Sequence, residues 1–154
     1  MFEIYVDADA CPVKQEVIKV ARRCELSVTF VANAAMRIPD SEGTKLVVVE
    51  SRQLDAADDW IVNHLSQNDI VVTADIPLAY RCVQASAEVL DPSGRIFTKE
   101  NVGELLAARD LMSSLRDTGM VTGGGPAPFQ KQDRSRFLHS LDQIIQNLKR
   151  RGFS

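Results

Sequence analysis

Residues 5–12 read Tyr5-Val6-Asp7-Ala8-Asp9-Ala10-Cys11-Pro12, and residues 71–77 read Val71-Val72-Thr73-Ala74-Asp75-Ile76-Pro77. Each run is an apolar strand that ends in an aspartate, followed by a proline fit for the first turn of a helix. Such strand–acid–helix junctions belong to a parallel α/β sheet, where ligands bind at the carboxyl ends of the strands. Working outward, apolar runs of strand length recur near Glu3 to Val6, Ser27 to Ala32, Lys45 to Val49, Ile70 to Thr73 and Glu88 to Leu90. Their Val and Ile content suits strands buried on both faces. Between them the spacing predicts a helix opening at Pro12, with Val13, Val17, Val20 and Ala21 on one face, a second from Leu54 to Ser66 and a third from Pro77. Strands alternating with helices give βαβ units. Beyond the Asp91-Pro92-Ser93-Gly94 turn signal, Thr98 and Asn101 can open a long helix to Asp117, ended by Gly119. The stretch Thr122 to Pro128 carries three glycines and two prolines and reads as a linker or lid, and a last helix runs from Asp133 to Lys149.

If strands one and four are neighbours, Asp7, Asp9 and Asp75 meet. The helix between them adds Asp58, beside the apolar stripe of Leu54, Ala57, Ile61 and Leu65, with Asp55 one turn earlier and Asp59 pointing outward. Capping explains an aspartate at a helix start, and for Asp9 and Asp75 the two readings stand level. Capping does not require Asp7 or Asp58. Several acids at one pole repel one another unless a cation is bound, and all-oxygen donors suit Mg²⁺ or Mn²⁺.

Composition narrows the classes. With 45% hydrophobic and 25% charged residues over 154 positions, the chain reads as one soluble domain and not a disordered one. No apolar run approaches the ~20 residues that cross a bilayer, and a cytoplasmic location is expected. Cys11, Cys24 and Cys82 form no C-x-x-C pair, so reduced thiols are expected. The formal charge of −3 argues against a protein that coats nucleic acid by bulk electrostatics. From Lys131 to Arg151, however, six cations face two acids, a local +4 that leaves −7 on the rest.

The runs DADACP (7–12), LDAADDWIV (54–62), DIVVTADIPLA (69–79), RDLMSSLRDTG (109–119), TGGGPAP (122–128) and DRSRF (133–137), six motifs in order, make the chain resemble the bacterial YaiI/YqxD family along nearly its whole length. That family is related to PIN/NYN-type nuclease domains. The resemblance implies a three-layer PIN-like fold, with a central parallel sheet in the order 3-2-1-4-5 plus a C-terminal helix. It also implies one domain over 1–154: an α/β body (1–118), a Gly/Pro-rich loop (119–132) and a basic helix (133–151). Carried over by motif, Asp7, Asp9, Asp58 and Asp75 are the catalytic and metal-binding acids, with Asp55 as an outer member. PIN nucleases commonly carry another acid just after the one ending strand four. Here Ile76-Pro77 follows, and Asp91 is either the substitute or the first residue of an Asp-Pro turn.

The resulting expectation is a Mg²⁺- or Mn²⁺-dependent nuclease acting on single-stranded or structured RNA. Candidate substrate contacts are Lys14, Asn33, Arg109, Arg116 and Arg134. Arg109 and Arg116 fall on or beside the stripe of Val102, Leu105, Leu106 and Met112, where an inward arginine either pairs with a buried carboxylate or clamps phosphate. Cys11 reads as structural, and His64 and His139 as surface or packing residues, because no motif sets a base beside the thiol. Two other classes compete. Asp7-Ala8-Asp9 resembles the haloacid-dehalogenase phosphatase signature, though Cys11 stands where that pattern prefers Thr or Val and no Ser or Thr ends strand two. A non-catalytic module binding metal, and RNA or protein, is the other.

Overall fold

The computed structural model describes residues 2–50, 53, 55–120 and 128–153. Along the chain run β1 (Ile4–Asp7), α1 (Lys14–Cys24), β2 (Val28–Ala32), β3 (Thr44–Val48), α2 (Ala56–His64), β4 (Ile70–Val72), α3 (Ile76–Gln84), β5 (Glu88–Leu90), β6 (Ile96–Phe97), α4 (Val102–Asp117) and α5 (Lys131–Arg150). The sheet order is β3-β2-β1-β4-β5-β6. Its first five strands are parallel and reproduce the order expected of a PIN-like sheet.

The short β6 was not expected. It runs antiparallel to β5 through the Asp91–Arg95 turn, pairing Val89 with Phe97 and Leu90 with Ile96. Asp91 builds that turn: its Oδ1 accepts from the Ser93 and Arg95 backbone N–H groups and from Ser93 Oγ at 2.7–3.0 Å. Asp91 is therefore a turn residue, its carboxylate accepting from its own turn, and not a substitute acid.

Two apolar layers flank the sheet. One joins α1 and α5 to the faces of β1 and β2, with Val13, Val17, Phe30, Phe137, Leu141 and Ile145 among its buried residues. The other packs Ala57 and Ile61 of α2, Leu78 and Cys82 of α3 and Val102 of α4 against Tyr5, Val31 and Val71. Every α1 position expected on the apolar face is buried. On the α2 stripe Ala57 and Ile61 are buried and Leu65 is half-buried, while Leu54 lies outside the described residues. So do residues 121–127, which hold most of the expected linker or lid.

α4 departs from its reading. Of its 16 residues only Val102 is buried; Leu105 and Leu106 are half-buried and Met112 is exposed. Length explains this: α3 has nine residues and α4 sixteen, about 13 Å against 24 Å, so the second half of α4 outruns the helix it packs on. Arg109 and Arg116 keep the angular position of Val102 but have no core beneath them. They are exposed, with Arg109 Nη1 3.2 Å from Asp110.

Gly94 fixes the seat of α5. Its φ is +91°, and a Cβ added there would lie 2.6 Å from the Arg136 carbonyl carbon and oxygen and 2.9 Å from Phe137 N. Ser140 Oγ donates to the Gly94 carbonyl at 2.6 Å, closing a contact that only glycine permits. Among the described residues no helix is long and apolar enough to cross a membrane.

Candidate active site

Register brings the acids together. Val6 pairs with Val72, so Asp7 at the end of β1 stands opposite Thr73, the residue after β4. Thr73 Oγ1 donates to Asp7 Oδ2 at 2.9 Å and accepts from the Asp75 backbone N–H at 3.0 Å. One buried hydroxyl thus ties the two junctions to each other. Sequence reasoning missed Thr73; a threonine ending a strand looks like β-propensity, and only pairing reveals its neighbour.

Asp75 does cap α3, its Oδ1 accepting from Leu78 N at 3.0 Å. Asp9 caps nothing: α1 starts from Val13 without a side-chain cap. The Asp9 carboxylate instead accepts from the Asn33 backbone N–H at 3.0 Å and from Asn33 Nδ2 at 2.9 Å. Asn33 Oδ1 in turn accepts from Ala57 N at 3.3 Å. Asn33, read as a substrate contact, thereby links the β1 loop to the first turn of α2, one residue before Asp58. Asp55 occupies the N-cap position of α2 without a capping bond, and Asp59 turns outward to Arg81 Nη1 at 2.8 Å.

Electrostatics report the crowding. Asp58 is half-buried, and its carboxyl is pushed up to about 7, first by burial and then by the charges of Asp75, Asp7 and Asp55; only Arg81 opposes this. Burial also raises Asp7, against the Thr73 hydrogen bond, with Asp75 and Asp9 adding to the rise. Asp7, Asp58 and Asp75 therefore share one field.

Their remaining oxygens suit a hard cation. Asp7 Oδ1, Asp75 Oδ2 and both Asp58 oxygens accept no hydrogen bond from any described residue. Among those residues, no three His, Cys, Asp or Glu side chains stand as a ready ligand shell. The donor chemistry fits Mg²⁺ or Mn²⁺, and the acids are neighbours without a closed coordination sphere.

The other candidates divide. Lys14 Nζ donates to the Cys11 carbonyl at 2.7 Å, bracing the loop that carries Asp9. Arg134 Nη1 contacts both Glu16 oxygens at 2.7 Å and the Pro12 carbonyl at 3.3 Å, with its guanidinium 5.2 Å above the Phe129 ring. Its charge is engaged in fastening α5 to α1. The basic segment is not one patch: Arg134 lies beside the acid loop, whereas Arg151 meets Glu88 at the opposite end of the sheet, 3.6 Å away. Cys11 is buried with its thiol raised chiefly by burial, in keeping with a structural role. His64 stacks on Trp60 at 3.7 Å between ring centroids, and His139 is exposed.

Comparison with known proteins agrees with the motif pattern. The model of the family described as "Uncharacterized BCR, YaiI/YqxD family" matches residues 5–147. A UPF0178 protein of Azorhizobium caulinodans is 52% identical over 151 residues, covering 98% of this chain and 94% of that relative. One from Brucella suis is 55% identical over 150 residues (97% and 92%), and one from Rhodospirillum centenum 52% over 155 (99% of each). No solved structure matches significantly. With relatives aligned end to end and the family model spanning all but the margins, the chain belongs to the YaiI/YqxD family.

Proposed function

We propose that this protein is a divalent-metal-dependent phosphodiesterase acting on RNA, with Asp7, Asp58 and Asp75 as the metal-holding acids. The observation that carries this reading is the crowding of three carboxylates at the β1–β4 switch point, two of them, Asp7 and Asp58, raised first by burial and then by the charge of the third, Asp75. Groups so placed lower stability unless a cation answers them. When bound, Mg²⁺ or Mn²⁺ supplies Lewis-acid polarisation of a phosphodiester and activation of a water.

The chain's own residues do the rest. Thr73 orients Asp7 and holds the Asp75 backbone, and Asn33 joins the β1 loop to the first turn of α2, one residue before Asp58. Without a cation the Asp58 carboxyl is raised to about 7, so occupation of the site by a divalent ion is expected to release its proton. A phosphatase of the haloacid-dehalogenase type needs Asp9 as a mobile general acid, and three hydrogen bonds from Asn33 oppose that use.

A Mn²⁺ titration followed by thermal shift, then a single-stranded RNA degradation assay, tests the proposal. Metal stabilisation and cleavage are expected in the wild type, and both are lost in Asp7→Asn and Asp75→Asn. Stabilisation without cleavage favours a binding module, and full activity in either variant overturns the assignment.

A further inference from the structure

The exposed large hydrophobic residues among the described positions are Leu111 (60%), Met112 (39%) and Met120 (76%), two on α4 and one just past it. Ala108, Leu111, Met112 and Leu115 follow the i, i+3, i+4, i+7 spacing of an apolar helix face. At about 100° per residue that stripe is centred well over a right angle away from Val102, the residue that faces the core. α4 therefore carries two apolar faces: a short inner one spent on α3 and the sheet, and an outer one with solvent over it. A contiguous outward stripe of this kind marks an interaction surface.

We infer that the outer face of α4 is a dimer interface, and that its occupant is α4 of a second copy, lying parallel. Charge placement selects this partner. With Ala108, Met112 and Leu115 as seam positions, Glu104 flanks the seam on one side and Arg109 and Arg116 on the other, while Leu105 packs inward on the core. In a parallel pair each flank meets the opposite flank of its mate, so Glu104 approaches Arg109 of the other copy five residues further on, twice by symmetry. An antiparallel pair sets Arg109 against Arg109. The like-charged alternative is thus disfavoured and the parallel one ion-paired. A two-fold axis along α4 places both bodies on opposite sides of the helix pair, with both acidic sheet ends facing the same way.

Sedimentation equilibrium of the full chain from about 1 to 100 µM, the range of weak to moderate self-association, provides the test. The wild type is expected to dimerise. Leu111→Glu with Met112→Glu should be monomeric, and should unfold like the wild type at concentrations where the wild type too is monomeric, because neither side chain belongs to either core cluster. Glu104→Arg should weaken association by about tenfold, and adding Arg109→Glu should restore it. A monomeric wild type at 100 µM overturns the inference, as does a dimer indifferent to the glutamates. Failure of the charge reversal to rescue overturns the parallel arrangement, and this charge pair decides the matter even if the double glutamate variant does not fold.

Discussion

Asp58→Asn removes a charge while keeping the shape of the side chain, and its effect on stability depends on pH. In the folded chain the carboxyl sits at about 7, against an ordinary 3.8. The folded state therefore holds a proton that the unfolded state has released between about pH 4 and 7. Stability from protonated Asp58 is fully present below pH ~4 and is lost as pH rises through 7. A displacement of about three pH units corresponds to roughly 4 kcal/mol as an upper bound. Because the carboxyl is only half-buried, solvent screening reduces the expected effect to roughly 1–2 kcal/mol. In metal-free buffer at pH 8 the asparagine variant should melt about 2–8 °C above the wild type, at ~2–4 °C per kcal/mol for a domain of this size. At pH 4 the two should coincide, since both then carry an uncharged group. Thermal unfolding followed by circular dichroism at the two pH values measures this. An equal difference at both, or an asparagine variant less stable at pH 8, would refute like-charge crowding around Asp58. Under the proposed function, saturating Mn²⁺ should reverse the order at pH 8, because the wild type alone keeps the full set of acids.

Gly94→Ala should cost about 3 kcal/mol or more, since the residue combines a left-handed backbone with contact against Arg136 and Phe137; urea unfolding reads this directly. Asn33→Ala removes the side-chain hydrogen bond to Asp9 and the one accepted from Ala57 while keeping the backbone N–H bond to Asp9, with an expected loss of about 1–2 kcal/mol and a lower Mn²⁺ affinity in the thermal-shift titration. Asn33→Asp sets a carboxylate against Asp9 and should be worse at pH 8 than at pH 4, so a pH-independent defect would argue against the contact.

The β1 and β4 junctions were legible because parallel strands buried on both faces appear as short apolar runs, and a proline after the acid marks where each run ends. β6 was not: Ile96–Phe97 is too short to express any period and exists only through its pairing with β5. Asp58 was found by its place beside a helical stripe, and its crowding is a property of the folded acids. Thr73 and the bridging role of Asn33 were hidden because both depend on what lies across the register. For α4, periodicity placed Arg109 and Arg116 on the same side as Val102, and the structure keeps that angle. What periodicity does not contain is the length of α3, which decides where the core beneath that side stops. The basic segment misled for a related reason, as a charge run along a 20-residue helix spans about 30 Å and ends at two different poles.

The layer that joins α1 and α5 has a consequence for the order of folding. Phe137, Leu141, Ile145 and Leu148 of α5 share one cluster with Ile4, Val6, Val17 and Phe30, from the first thirty residues. During synthesis, the first βαβ unit leaves the ribosome with one apolar flank uncovered, and its cover is made only after a further hundred residues. Contacts of such sequence separation slow folding and leave sticky surface exposed meanwhile. The early unit should therefore be a client for holding chaperones until α5 emerges, and the Gly94 notch, completed before α5, is the seat on which that last helix settles.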